Sequence, residues 1–84
     1  MNYFDDTDLN DAFVDFLDMR KKIKKPATDR AIKLLIKKLF SMSMNNKERV
    51  DIVDQSIINC WQDFYPLKNN TNKFNNALKA LLNE

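Results

Sequence analysis

Apolar residues recur along the chain at the spacing of amphipathic helices, and polar residues fill the positions between them. In the first such stretch an apolar face lies opposite a row of aspartates, which predicts a helix over about residues 8–24. In the second, apolar residues follow the spacing i, i+3, i+4, i+7, i+8 from Ile32 to Phe40, and Thr28 is a suitable N-cap. This pattern predicts a second helix over residues 28–42.

The second half of the chain carries two further helical patterns. Asn45 and Glu48 resemble a capping box, and an apolar stripe follows them. This stripe predicts a helix over residues 46–64, which Pro66 ends. A last, short helix is expected over residues 72–83, where apolar residues recur at helical spacing in an asparagine-rich segment.

Composition supports an all-α fold. The chain has 84 residues, no glycine and two prolines, and a sheet with tight hairpin turns is hard to build without glycine. The apolar stripes can be covered only if the helices pack against one another. We therefore predict a compact bundle of three amphipathic helices plus a short C-terminal helix, in a single domain over residues 1–84.

Residue types that most catalytic and cofactor sites require are missing from the chain. Without histidine it lacks the usual general base, and without glycine it has neither a P-loop nor a dinucleotide-binding fingerprint. Cys60 lies within the apolar stripe of the third predicted helix, so we interpret it as a buried structural thiol. A helical row of carboxylates lacks the converging oxygens of a calcium site. We expect a non-enzymatic protein with no cofactor and no bound metal.

Charge is distributed unevenly along the chain. Residues 1–19 carry six acidic and no basic residues, whereas residues 20–38 carry nine basic and one acidic, so the net charge of +2 conceals a dipolar surface. We predict that the cations around the first interhelical turn form one basic patch that contacts nucleic-acid phosphates. The basic patch consists of Arg20, Lys21, Lys22, Lys24, Lys25, Arg30, Lys33 and Lys37.

A simpler interpretation of these charges stands beside this prediction. Cations at the end of a helix and acids at its start complement the helix macrodipole, and lysines keep small domains soluble. For any single lysine this interpretation is the better one. The number of basic residues around one loop exceeds what helix capping requires, and this favours contact with an anion.

Aromatic residues cluster just before Pro66. At helical spacing, Trp61 and Phe64 are typical of core residues. Tyr65 lies where the helix is predicted to break, with Lys68 nearby, so we expect its ring to offer a stacking plane to a base. Tyr65 and Lys68 are therefore predicted auxiliaries of the basic patch, with Trp61 ordering the patch from beneath.

Two stretches within residues 13–68, "FVDFLDMRKKIKKPATDRAIKLLIKKL" and "DQSIINCWQDFYPLK", resemble a known family. They resemble the C-terminal module of replication proteins, replisome organisers and helicase loaders, of phages of low-GC Gram-positive bacteria. There the module follows an N-terminal winged-helix region, which we do not expect in this chain. The resemblance implies a role around replication initiation or helicase loading. The chain differs from the family at Cys60, where we expect glycine, and at Asp63.

A second resemblance is to DnaD-like primosomal proteins, whose C-terminal part binds DNA. Ile57 and Trp61 are similar to the last two positions of their YxxxIxxxW motif, and Val53 stands at the tyrosine position. The same spacing is also common among apolar residues on the packed face of any helix. Charge and resemblance together predict a small phage or mobile-element protein in the bacterial cytoplasm. It would bind single- or double-stranded DNA with little sequence specificity.

An alternative function from another class is an inhibitor or adaptor that binds a host or phage protein, such as a helicase loader, a replisome component or a CRISPR effector. An acidic face on the first helix would then meet a basic surface of that partner. The acidic face consists of Asp8, Asp11, Asp15 and Asp18. A homodimer is a third alternative, because Leu34, Ile52 and Ile58 lie off the main stripes and form either a dimer face or scattered surface. No stretch is apolar enough to cross a membrane.

Overall fold

The computed structural model describes residues 2–67, which contain three α-helices and no strand. The helices are α1 (Thr7–Lys22), α2 (Asp29–Met42) and α3 (Asn46–Asn59). α1 packs mainly against α3, and α2 packs against α3 less extensively. The predicted all-α fold is confirmed, and none of these three helices is long and apolar enough to cross a membrane. The helix predicted over 72–83 lies outside the described residues.

The predicted N-caps of α2 and α3 are both confirmed. The Ala31 N–H donates to the Thr28 hydroxyl oxygen at 3.1 Å. The side-chain oxygen of Asn45 accepts from the N–H groups of Lys47 and Glu48, at 2.7 and 3.3 Å. These bonds satisfy backbone donors that the start of a helix leaves unpaired, so both helices begin close to their predicted positions.

The residues before α1 fold back onto the helices. The side-chain oxygen of Asn10 accepts from the backbone N–H groups of Tyr3, at 2.6 Å, and Phe4, at 3.3 Å. Phe4 is buried, and its ring centroid lies 5.3 Å from that of Phe13 on α1 and 5.6 Å from that of Phe40 on α2. The N-terminal residues therefore join α1 to α2.

The third helix was predicted to run to residue 64, but α3 ends at Asn59. The next residue, Cys60, adopts a left-handed backbone with φ 54° and ψ 38°, and its N–H donates to the Ile57 carbonyl at 3.2 Å. Residues 61–67, here called the arm, continue without helical structure. Cys60 is exposed at this turn, so the prediction that it is a buried thiol within a helix is wrong.

We expect Cys60→Gly to raise the free energy of unfolding by about 1 kcal/mol. A left-handed backbone brings Cβ too close to the following carbonyl oxygen, and glycine has no Cβ. Urea unfolding followed by circular dichroism measures the change. Asn59→Gly, one residue earlier and within α3, is the matched control and should destabilise the protein. Equal effects of the two substitutions would contradict the assignment of the turn to Cys60.

The arm completes an aromatic core. Phe13 and Phe16 on α1 are fully buried, and so is Phe64 of the arm. The Phe64 ring centroid lies 4.7 Å from that of Phe16 and 6.2 Å from that of Phe13. The prediction that Phe64 is a core residue is confirmed, although it reaches the core from the arm and not from a helix.

The buried face of α3 includes two residues that the sequence pattern did not place in the core, Ile52 and Ser56. Ile52 and Val53 are buried together with Ser56, whereas Ile58 is 76% exposed. The Ser56 hydroxyl donates to the Asp63 carbonyl of the arm at 2.7 Å, so this buried polar group is satisfied. Ile52 was predicted to lie on the surface, and that prediction is wrong. A serine at the centre of the buried face interrupts its apolar pattern.

Candidate nucleic-acid interface

The basic patch begins at the turn that ends α1. The Arg20 side chain folds this turn, because its Nε–H donates to the Lys25 carbonyl at 2.9 Å while the Lys25 N–H donates to the Arg20 carbonyl at 2.8 Å. Lys24 takes a positive φ of 63°, and its N–H donates to the Lys21 carbonyl at 3.0 Å. α1 therefore ends at Lys22, before the predicted residue 24, and the lysines of this turn are all exposed.

The rest of the basic patch lies on α2. Arg30, Lys33 and Lys37 follow the spacing i, i+3, i+7, so they share one face of the helix, and all three are exposed. Among residues 2–67 the one ion pair joins Lys38 to Asp63, and so no cation of the basic patch is paired with a carboxylate there. The structure thus leaves the patch cations accessible except Arg20, which is half-buried, and phosphate binding by these residues stays a prediction.

The acidic face of α1 extends onto α3. Partial burial raises the pKa of Asp54 on α3, and repulsion from the Asp51 and Asp15 carboxylates raises it further. Asp15 of α1 is therefore close enough to Asp54 of α3 for their charges to interact. The predicted residues of the acidic face are all exposed: Asp8, Asp11, Asp15 and Asp18. In residues 2–67 no group of three or more cysteines or carboxylates is arranged to hold a metal ion.

A cleft open to solvent lies beside the basic patch, where the end of α1, one flank of α2 and the arm meet. Its volume is about 320 Å³. Arg20 belongs both to the patch and to this cleft, and Leu34, which also lines it, is 51% exposed. The lining residues are Arg20, Ala31, Leu34, Leu35, Lys38, Gln62 and Asp63.

Lys38 ties the arm to α2 at the cleft. Its Nζ lies 2.9 Å from Asp63 Oδ2 and 5.5 Å from the centroid of the Tyr65 ring. The Tyr65 ring also meets the Trp61 ring edge-on, with the centroids 5.1 Å apart. Tyr65 is 47% exposed, so the predicted stacking residue keeps an open ring beside a cation. The half-buried Trp61 supports this ring.

Three polar residues of the cleft were not predicted as site residues: Lys38, Gln62 and Asp63. Lys38 lies four positions after Leu34, and this spacing places both residues on one flank of a helix. The sequence therefore contained a signal for Lys38. For Gln62 and Asp63 no such signal existed, because the pattern predicted a helix where the structure has the arm. Lys68, a predicted auxiliary of the patch, lies outside the described residues.

The chain is similar to a known protein family. A family model described as the YdaU C-terminal domain matches residues 6–80 of the chain. Neither a search of curated proteins nor a search of solved structures found a match. The family match is consistent with the predicted phage-type C-terminal module, whereas the link to DnaD-like helicase loaders stays a prediction. The matched range covers most of the chain, which therefore belongs to the YdaU C-terminal domain family.

Proposed function

We propose that this phage-type domain binds nucleic acid through the basic patch and acts, without catalysis, in DNA replication in the bacterial cytoplasm. One observation carries the proposal: seven of the eight patch cations are exposed, Arg20 is half-buried, and none of the eight is paired with a carboxylate of residues 2–67. The acidic face, which could have neutralised them, extends toward α3 and makes no ion pair with the patch.

Unpaired surface cations favour nucleic acid because binding to phosphates releases condensed counterions. The lysines of the interhelical turn carry ammonium groups, which act as point charges at the ends of flexible side chains. Such groups suit phosphates, and contacts with phosphates carry little information about the base sequence. The proposal is therefore for binding with weak sequence preference.

We expect the affinity for DNA to fall steeply with salt. If the patch neutralises about 4 to 6 phosphates, log affinity should fall against log salt with a slope of roughly −4 to −5. Fluorescence anisotropy of labelled single- and double-stranded DNA, titrated with protein over a series of salt concentrations, measures this slope. Absence of binding at low salt, or a flat slope, would overturn the proposal.

A second candidate function is favoured by the extent of the acidic face. Exposed carboxylates of α1 continue toward Asp51 and Asp54 of α3, and such a surface suits a basic region on a partner protein. An inhibitor or adaptor of a replication or defence protein fits this feature. Binding of a defined partner that survives reversal of the patch lysines, and is lost when Asp11 and Asp15 become Asn, would support this function over the first.

A further inference from the structure

We propose that the cleft beside the basic patch takes up an unpaired base, so that the protein prefers single-stranded to double-stranded nucleic acid. The inference rests on the proposed function, because the patch supplies most of the affinity and the cleft adds contact with a base. Its starting point is Arg20, which belongs to the patch and also lines the cleft.

The size and lining of the cleft suit a small planar group. Its volume of about 320 Å³ is at the low end of the range of about 300–1,000 Å³ for small-molecule sites. Ala31, Leu34 and Leu35 supply an apolar side from α2, and Leu34 is half-exposed in the free protein. A base that covers Leu34 would remove this apolar surface from water.

The polar lining suits the edge of a base. Gln62 carries an amide that can both donate and accept hydrogen bonds, and it is exposed at the cleft. Asp63 also lines the cleft, but Lys38 lies 2.9 Å from its carboxylate and offsets its charge. The cleft therefore presents hydrogen-bonding groups without an uncompensated negative charge that would repel a nucleic-acid strand.

The position of the cleft fits a strand that follows the patch. Arg20 lies on the α1 side of the cleft and Lys38 on the α2 side. Phosphates held by the interhelical turn and by α2 would therefore pass its opening. In a duplex the bases are stacked and paired, so they cannot enter without being flipped out, whereas the bases of a single strand can.

The test compares two labelled oligonucleotides of equal length, an oligothymidine and an abasic strand with the same phosphates but no bases. The wild-type protein should bind the oligothymidine about tenfold more tightly, as stacking of one base contributes. Both strands should show a similar salt slope, because the phosphate contacts are shared.

Two charge-neutral variants test the cleft itself. Ala31→Met occupies it with a non-aromatic side chain, and Leu34→Asn replaces its exposed apolar side chain. Each change should bring the affinity for oligothymidine close to that for the abasic strand. Ile58→Asn, a matched change at an exposed apolar position of α3, should keep the preference. Circular dichroism checks folding. If Ala31→Met does not fold, the Leu34→Asn variant decides the result, because Leu34 is half-exposed.

The outcomes separate this inference from the proposed function. Equal, salt-sensitive affinity for the two strands would overturn the proposal that the cleft binds a base, and would leave the proposal of phosphate binding by the patch intact. A preference for oligothymidine that persists in the cleft variants would place the base elsewhere, for example on the Tyr65 ring. This result would also overturn the proposal that the cleft binds a base. Absence of salt-sensitive binding to either strand would overturn both.

Discussion

Reversing three lysines of the interhelical turn, with Lys22→Glu, Lys24→Glu and Lys25→Glu together, is expected to weaken DNA binding on the order of a hundredfold at low salt. Each lost phosphate contact also removes about one unit from the salt slope, which should move from roughly −4 to −5 toward −1 to −2. The three side chains are exposed and make no ion pair within residues 2–67, so the fold should persist. Anisotropy titration and circular dichroism measure the two effects.

A matched pair of single reversals controls for net charge. Lys25→Glu lies in the patch, whereas Lys47→Glu lies at the start of α3, and both side chains are exposed. The two changes alter the net charge equally, so a difference in affinity reports the location of the charge. Equal, small effects of the two substitutions would indicate attraction by the overall charge alone and would contradict a localised patch.

Phe64→Ala is expected to lower the free energy of unfolding by about 3–5 kcal/mol. Phe64 is fully buried, and its ring lies against Phe13 and Phe16 of α1. Truncation would leave a cavity in the core and remove the main apolar anchor of the arm. Small domains have a net stability of about 5–15 kcal/mol, so this loss is a large share of the total. Urea unfolding of the variant and the wild-type protein measures it.

Substitution of the neighbouring arm residue gives the control. Tyr65→Ala removes an aromatic ring that is 47% exposed, and its cost should stay below about 1 kcal/mol. Phe64→Leu keeps most of the buried volume and should fall between the two. If Phe64→Ala cost less than Tyr65→Ala, the arm would not be part of the core.

The helices could be predicted because their signals are local. The spacing from Ile32 to Phe40 and the N-caps Thr28 and Asn45 act within a few residues of chain, and each is present in the structure. The end of α3 was not predictable from periodicity. Cys60 takes a left-handed backbone that non-glycine residues rarely adopt, and the apolar residues beyond it continue a helical pattern by chance. The glycine expected at this position from the family resemblance was the relevant signal.

The candidate site also has one part that could be predicted from the sequence and one part that could not. The basic patch could be predicted because its residues are neighbours along the chain and along one helix face. The cleft could not, because it forms only when the arm folds back from α3 to α2. That return depends on the burial of Phe64 and on the contact between Lys38 and Asp63, whose partners are far apart in sequence.

The position of α2 depends on the two ends of the described chain. α2 packs only sparsely against the other helices, but Phe4 before α1 contacts Phe40, and Asp63 after α3 contacts Lys38. These segments act as two braces on the most cationic helix. A shortened version that retains every helix but lacks either brace would keep the charges of α2 and lose their fixed arrangement. The proposed anion-binding surface is therefore held in place by residues that carry almost none of its charge.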